Sequence, residues 1–224
     1  MSDRVIVVTG GHGVLGRSVV EAALAQGLKV AVIDHAEEPA PEGALELGGV
    51  DLTDPAAAAR AIEAVVARFG RLDALLNIAG GFVWQTADDA TPAWDRMHAL
   101  NLTTALNASR AALAHLKASP EGRIVNVGAN GALKAAAGMG AYAASKAGVH
   151  RLTESLAEEL KDTTVTVNAV LPSILDTEQN RKDMPGADPA KWVQPADLAR
   201  VMLFLAGPDS RAITGALIPV TGRV

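Results

Sequence analysis

Apolar positions in this chain fall into short β-branched runs that alternate with longer stretches of helical spacing. Residues 4–9 (RVIVVT) are such a run, stopped by glycines, and read as a buried strand. Residues 14–26 carry helical periodicity and end at Gly27, a natural helix stop. Further strands are expected over 29–34 (KVAVID), 45–50, 72–79 (LDALLNIA), 122–127 (GRIVNV), 165–170 (VTVNAV) and 216–220 (ALIPV). Further helices are expected over 55–69, 91–117, 140–161 and 195–205. Asp54 suits an N-cap and Pro55 a first helical position; Thr91 and Pro92 repeat that pair before a segment that reads as one long helix or a broken pair. The alternation predicts an α/β fold: a doubly wound, Rossmann-type, parallel seven-stranded sheet with helices on both faces. Residues 1–224 read as a single domain. Residues 176–193 are the one long irregular stretch, and the segment 173–194 reads as a substrate lid.

Composition narrows the function. The chain has 224 residues, no cysteine and a formal net charge of −5. Disulfides, thiolate metal sites and cysteine nucleophiles are thereby excluded. No basic stripe suggests nucleic acid, and no apolar run is long enough to span a bilayer. The five histidines show no metal-ligand spacing, so no metal is expected. The start, MSDRVIVVTG, lacks the apolar region of a signal peptide, which makes the cytosol the expected location.

Chemistry enters at the first strand–helix junction. Residues 9–16 read TGGHGVLG, with Gly10, Gly13 and Gly16 three apart. Small residues there allow a sharp turn and close approach to a pyrophosphate, and the N–H groups of Val14, Leu15 and Gly16 open a helix. Asp34 ends the second strand, 18 positions after Gly16. A carboxylate there accepts bonds from the adenosine ribose and repels a 2′-phosphate, which favours NAD(H) over NADP(H). Arg17 and His12 are the nearby basic groups that a 2′-phosphate could use. Asp51 and Leu52 close the third strand where the adenine edge should lie.

Tyr142 is the single tyrosine, and Lys146 follows at i+4 near the start of a long helix. That spacing puts phenol and ammonium on one face, where a cation favours phenolate and lowers the phenol's pKa. Such a pair suits general acid–base work, with Lys146 also able to hold a ribose. Ser145 reads as a packing residue, since no GxSxG elbow or partner histidine accompanies it. Asp88-Asp89 reads as a solvated loop, Trp94 as packing, and Met139 as core or pocket wall. Trp192 also reads first as packing, and Trp84 and Trp192 are candidates to face a planar substrate.

In order and spacing, the glycine loop, Asp51-Leu52, Asn77-Ile-Ala-Gly80, Asn101, Tyr142-x-x-x-Lys146 and Pro172-x-x-x-x-Thr177 resemble the short-chain dehydrogenase/reductase family. The resemblance implies hydride transfer at nicotinamide C4. Tyr142 would be the proton donor, Lys146 would bind ribose and tune Tyr142, and Asn101 would hold a relay water. Ala79, Gly80, Pro172, Ile174 and Thr177 would line the cofactor. Homodimers or homotetramers would form through the helices around 92–117 and 140–161.

Four positions depart from the pattern. Val14 stands where the usual loop has glycine, Ile78 replaces the second Asn of NNAG, and Ser173 follows Pro172 in place of glycine. The catalytic serine, expected 13 positions before Tyr142, is Ala129. Asn130 is the neighbouring amide that could compensate. These departures are similar to quinonoid dihydropteridine reductases, which share a GGxGxLG loop and an alanine at the serine position. The similarity continues through Ala79-Gly-Gly81 followed by aromatics, Gly138-Met139, and Gly215-Ala-Leu-Ile218. In the lid it covers Leu175-Asp-Thr177, Asn180-Arg-Lys182, Met184-Pro185, Ala187-Asp188 and Trp192.

The leading expectation is an NADH-dependent oxidoreductase of a small carbonyl or conjugated imine, dihydropteridine-reductase-like. A general carbonyl or 3-oxoacyl reductase of the same family is the first alternative, favoured by Asn101. A non-catalytic NAD-binding sensor or interaction protein is the alternative of another class.

Overall fold

A computed structural model describes residues 3–89 and 93–224. The N-cap reading of Thr91 and Pro92 falls outside the described residues. Seven strands form one parallel sheet: β1 (Val5–Thr9), β2 (Lys29–Ile33), β3 (Leu45–Leu47), β4 (Ala74–Asn77), β5 (Arg123–Val127), β6 (Thr166–Pro172) and β7 (Leu217–Val220). Their order is β3-β2-β1-β4-β5-β6-β7, so the winding reverses between β1 and β4. Ligands bind outside the carboxyl ends of the strands at such a switch.

The strands are apolar on both sides because both sides are covered. Val5, Val7, Leu75 and Ile124 face a core built with α2 (Pro55–Phe69), α4 (Thr104–Ala118) and α5 (Gly140–Glu159). Ile6, Val8, Leu76 and Val125 face the other core, built with α1 (Val14–Ala25) and α7 (Pro195–Ala206). Helix ends follow their local chemistry. Asp54 accepts from Ala56 N at 2.9 Å beside Pro55, and Gly70 closes α2 in the left-handed region.

Three expectations are refined. From residue 93 the segment expected as one long helix or a broken pair is a continuous run with a defect: α3 (Ala93–His98), a π turn (Ala99–Thr103), then α4. The wide turn is centred on Asn101, and such turns recur at functional sites. β3 is three residues, shorter than expected. The irregular stretch 176–193 contains α6 (Glu178–Asp183) and a 3-10 turn (Pro189–Lys191). Thr177 Oγ accepts from Asn180 N at 3.1 Å and starts α6.

Candidate active site

Matched register brings four strands to one level: Thr9 pairs with Ile33 and with Asn77, and Asn77 with Asn126. The loops that follow them wall a cleft of ≈1120 Å³. Gly10, Gly13, Val14, Leu15 and Gly16 form one side of it. Asp34, Asp51 and Leu52, expected at the adenosine end, also line it, as do Ala79, Gly80 and Thr177. Pro172 and Ile174 lead out of β6 toward the lid and do not line the cleft.

The glycine loop fits a pyrophosphate. Gly10 sits at φ +68°, and a Cβ on Gly16 would stand 2.1 Å from Gly10 O, so only glycine lets α1 start this close to β1. Among the described residues no side chain caps α1, and its first turn holds no acid. Its N-terminal N–H groups are left for an anion. At the adenosine end, Asp34 accepts from His12 N at 3.0 Å and Ala36 N at 3.1 Å. Arg17 pairs with Glu38 at 2.6 Å and the His12 ring with Glu46 at 3.1 Å, so both basic groups are already engaged.

Tyr142 and Lys146 lie one turn apart on α5; neither is among the residues that wall the cleft, but Lys146 reaches its Gly80 end. Lys146 Nζ donates to Val127 O at 2.8 Å and would be 3.3 Å from a Cβ on Gly80. Burial lowers the Lys146 ammonium to about 8. Burial also pushes the Tyr142 phenol up to about 12, the opposite direction to the depression expected from the lysine. Phe82 meets the Tyr142 ring edge-on, with centroids 5.0 Å apart.

Asn101 is 1% exposed. Its Oδ1 accepts from Gly81 N at 2.9 Å, while Nδ2 donates to Gly81 O at 3.1 Å and Ser145 Oγ at 3.0 Å. Ser145 Oγ in turn donates to Tyr142 O at 2.7 Å. Thus Ser145 is a polar bridge rather than inert packing, and the Asn101 amide ties the Gly80-Gly81 loop to the tyrosine's helix. The relay water at Asn101 stays an expectation of the resemblance.

Ala129 is buried in extended conformation at the end of β5, and half-buried Asn130 opens a 3-10 turn (Asn130–Ala132). Trp84 is 61% exposed and lies across Gly138, where a Cβ would fall 2.1 Å from its indole. Trp192 is 5% exposed, at the foot of the lid near Gly222, so it offers no open face for a substrate. Trp94 is 54% exposed against Gly140, not a core residue. Asp88 and Asp89 are exposed, as a solvated loop requires.

Arg96, Leu100 and Thr104 on the α3–α4 run, and Gln179 and Lys182 on α6, also line the cleft. Sequence reasoning missed them. Helical spacing from Asn101 to Thr104 was the available signal. The lid residues carried none, because α6 was not foreseen. Among the described residues no His/Cys/Asp/Glu group could hold a metal, and no helix is long and apolar enough to cross a membrane.

Comparison with known proteins agrees with this geometry. The model of the short chain dehydrogenase family matches residues 4–187. The 2-(S)-hydroxypropyl-CoM dehydrogenase 3 of Xanthobacter autotrophicus is 32% identical, covering 99% of this chain and 96% of that protein. The 3-oxoacyl-[acyl-carrier-protein] reductase MabA of Mycobacterium tuberculosis is 35% identical, covering 98% and 92%. Among solved structures, ligand-free aldohexose dehydrogenase of Thermoplasma acidophilum superposes with a TM-score of 0.89 at 26% identity, covering 99% of this chain and 93% of that one. The chain therefore belongs to the short chain dehydrogenase family, as an oxidoreductase that works with a nicotinamide cofactor on a small molecule.

Proposed function

We propose that this enzyme is an NADH-dependent reductase of a flat, conjugated substrate, in the manner of quinonoid dihydropteridine reductases. One observation supports the reading: Lys146 Nζ reaches the Gly80 end of the cleft, Tyr142 stands one turn before it on the same helix against Phe82, and position 129 has no hydroxyl. When bound, the dinucleotide supplies a hydride from nicotinamide C4. Tyr142 gives its phenolic proton to the nitrogen or oxygen that takes up the charge. A phenol held near 12 keeps that proton through the neutral range until the acceptor turns basic. Lys146 binds the ribose and faces the phenolate as it forms.

A conjugated imine spreads its charge over a ring, so it needs a second hydroxyl donor less than a ketone does. Phe82 and Trp84 offer flat apolar faces to such a ring, and Asn130 a polar contact. The preference for NADH rests on Asp34 and on the pairing of Arg17 and His12 with carboxylates, which leaves a 2′-phosphate facing acids. Segment 173–194 serves as the lid. Its feet are tied by Val193 N to Ile174 O at 2.9 Å and Asp176 N to Val193 O at 2.9 Å, while Gln179 and Lys182 reach the cleft. The enzyme works in the cytosol as a homodimer or homotetramer through the helices around 92–117 and 140–161.

A general carbonyl or 3-oxoacyl reductase is the second reading, favoured by the 35% identity to MabA and by Asn101. NADH oxidation measured with a quinonoid dihydropterin, a quinone and a 3-oxoacyl thioester separates the two. The first reading expects kcat/KM highest with the dihydropterin, and higher with NADH than NADPH. Preference for the thioester overturns it.

A further inference from the structure

Among the polar side chains of α5 that face the end of β5, His150 is a titratable one with no part in the chemistry above. His150 is 2% exposed, one turn beyond Lys146 on the same face. Its Nε2 stands 3.3 Å from Ala129 N, and a Cβ on Gly128 would lie 2.5 Å from it. A backbone N–H only donates, so Nε2 is the acceptor and the ring is neutral with its proton on Nδ1. Burial first, then the charges of Arg151 and Lys146, lower the His150 pKa and favour that neutral form.

The contact belongs to a set. Lys146 bonds Val127 O at 2.8 Å, His150 accepts from Ala129 N, and Thr153 Oγ1 accepts from Asn126 Nδ2 at 2.9 Å. Three side chains of α5 thus grip Asn126, Val127 and Ala129, at and just past the end of β5. On the sheet side, Gly128 N donates to Val170 O at 2.9 Å. Residues 128–129 are therefore held from both flanks just before the chain turns at Asn130. Alanine at 129 brings no hydroxyl to that wall, so the wall's contribution to binding is where its backbone and the Asn130 amide stand.

We infer that His150 is a positioning residue for the reaction: by accepting the Ala129 N–H it sets residues 129–130 against the substrate across from Tyr142. This rests on the reading of Tyr142 as the proton donor. A histidine that merely filled space would be replaced without loss by an apolar side chain of similar size. A positioning histidine needs its acceptor, which glutamine can place near the same point and leucine cannot.

The test compares His150→Leu and His150→Gln in the full-length enzyme, reading kcat, NADH affinity and the hydrogen exchange of the Ala129 amide. His150→Leu is expected to lower kcat about ten- to a hundredfold, the scale of a displaced reacting group. NADH affinity should stay within about twofold, since the dinucleotide cleft is untouched. His150→Gln should recover most of the rate and keep the Ala129 amide protected, while His150→Leu exposes it to exchange. Equal kcat in the two variants, or equal protection of Ala129, overturns the inference. If the wild type turns over no carbonyl or imine, the reading of Tyr142 falls instead. The positioning role then falls with it, while protection of the Ala129 amide lost only in His150→Leu would still show that His150 holds that backbone.

Discussion

At the scale of single residues, the site differs from the family's pattern chiefly at Ala129. A serine there would add a hydroxyl facing the substrate's developing charge. Losing one such donor costs on the order of 10²-fold in reactions that concentrate charge on one oxygen. Ala129→Ser should therefore raise kcat/KM for a simple ketone by about tenfold or more, with a smaller change for a dihydropterin, checked by parallel steady-state assays. Equal gains for both substrates would mean that charge delocalisation is not what makes the alanine tolerable. Tyr142 and Lys146 stood out in the sequence because their spacing matches a helix face, and Asn101 because the order of motifs resembles a family. His150 was not: a lone histidine among apolar neighbours carries no spacing signal, and its partner is a backbone N–H that any residue at 129 would offer.

At the scale of elements, the strands were legible because apolar residues lie on both of their faces, and the long helices because of their caps and periodicity. The π turn at Asn101 was not, since one extra residue in a turn barely disturbs the apolar spacing around it. Nor was α6, whose six residues, EQNRKD, have no apolar face. It forms because Thr177 caps its start and Asn180 Nδ2 bonds Leu175 O at 2.8 Å. The loop before α5 carries its own constraint. Gly138 sits at φ +75° under the Trp84 indole, and Gln85 N bonds its carbonyl at 2.8 Å. Gly138→Ala should cost about 1–2 kcal/mol from the left-handed backbone alone. It should also displace Trp84. Thermal unfolding should drop by a few degrees, about 2–4 °C per kcal/mol for a chain of this size, and KM for a planar substrate should rise. An unchanged KM beside the expected loss of stability would remove Trp84 from the substrate wall.

At the scale of the whole molecule, the sheet order places every chemical group at one edge. The reversal between β1 and β4 opens the cleft. The glycine loop, the Gly80-Gly81 loop and the end of β5 then meet there, and α5 lies across the last of them. The proposed use of a phenol and an ammonium one turn apart depends on that topology, which brings Lys146 to the Gly80 end of the cleft. The most direct measurement takes wild type and Tyr142→Phe through NADH binding and NADH oxidation side by side. The account predicts binding within about twofold and a kcat lower by about 10²–10⁴-fold in the variant, the usual worth of a positioned proton donor. A variant that turns over at the wild-type rate, or a wild type with no affinity for either dinucleotide, would contradict it.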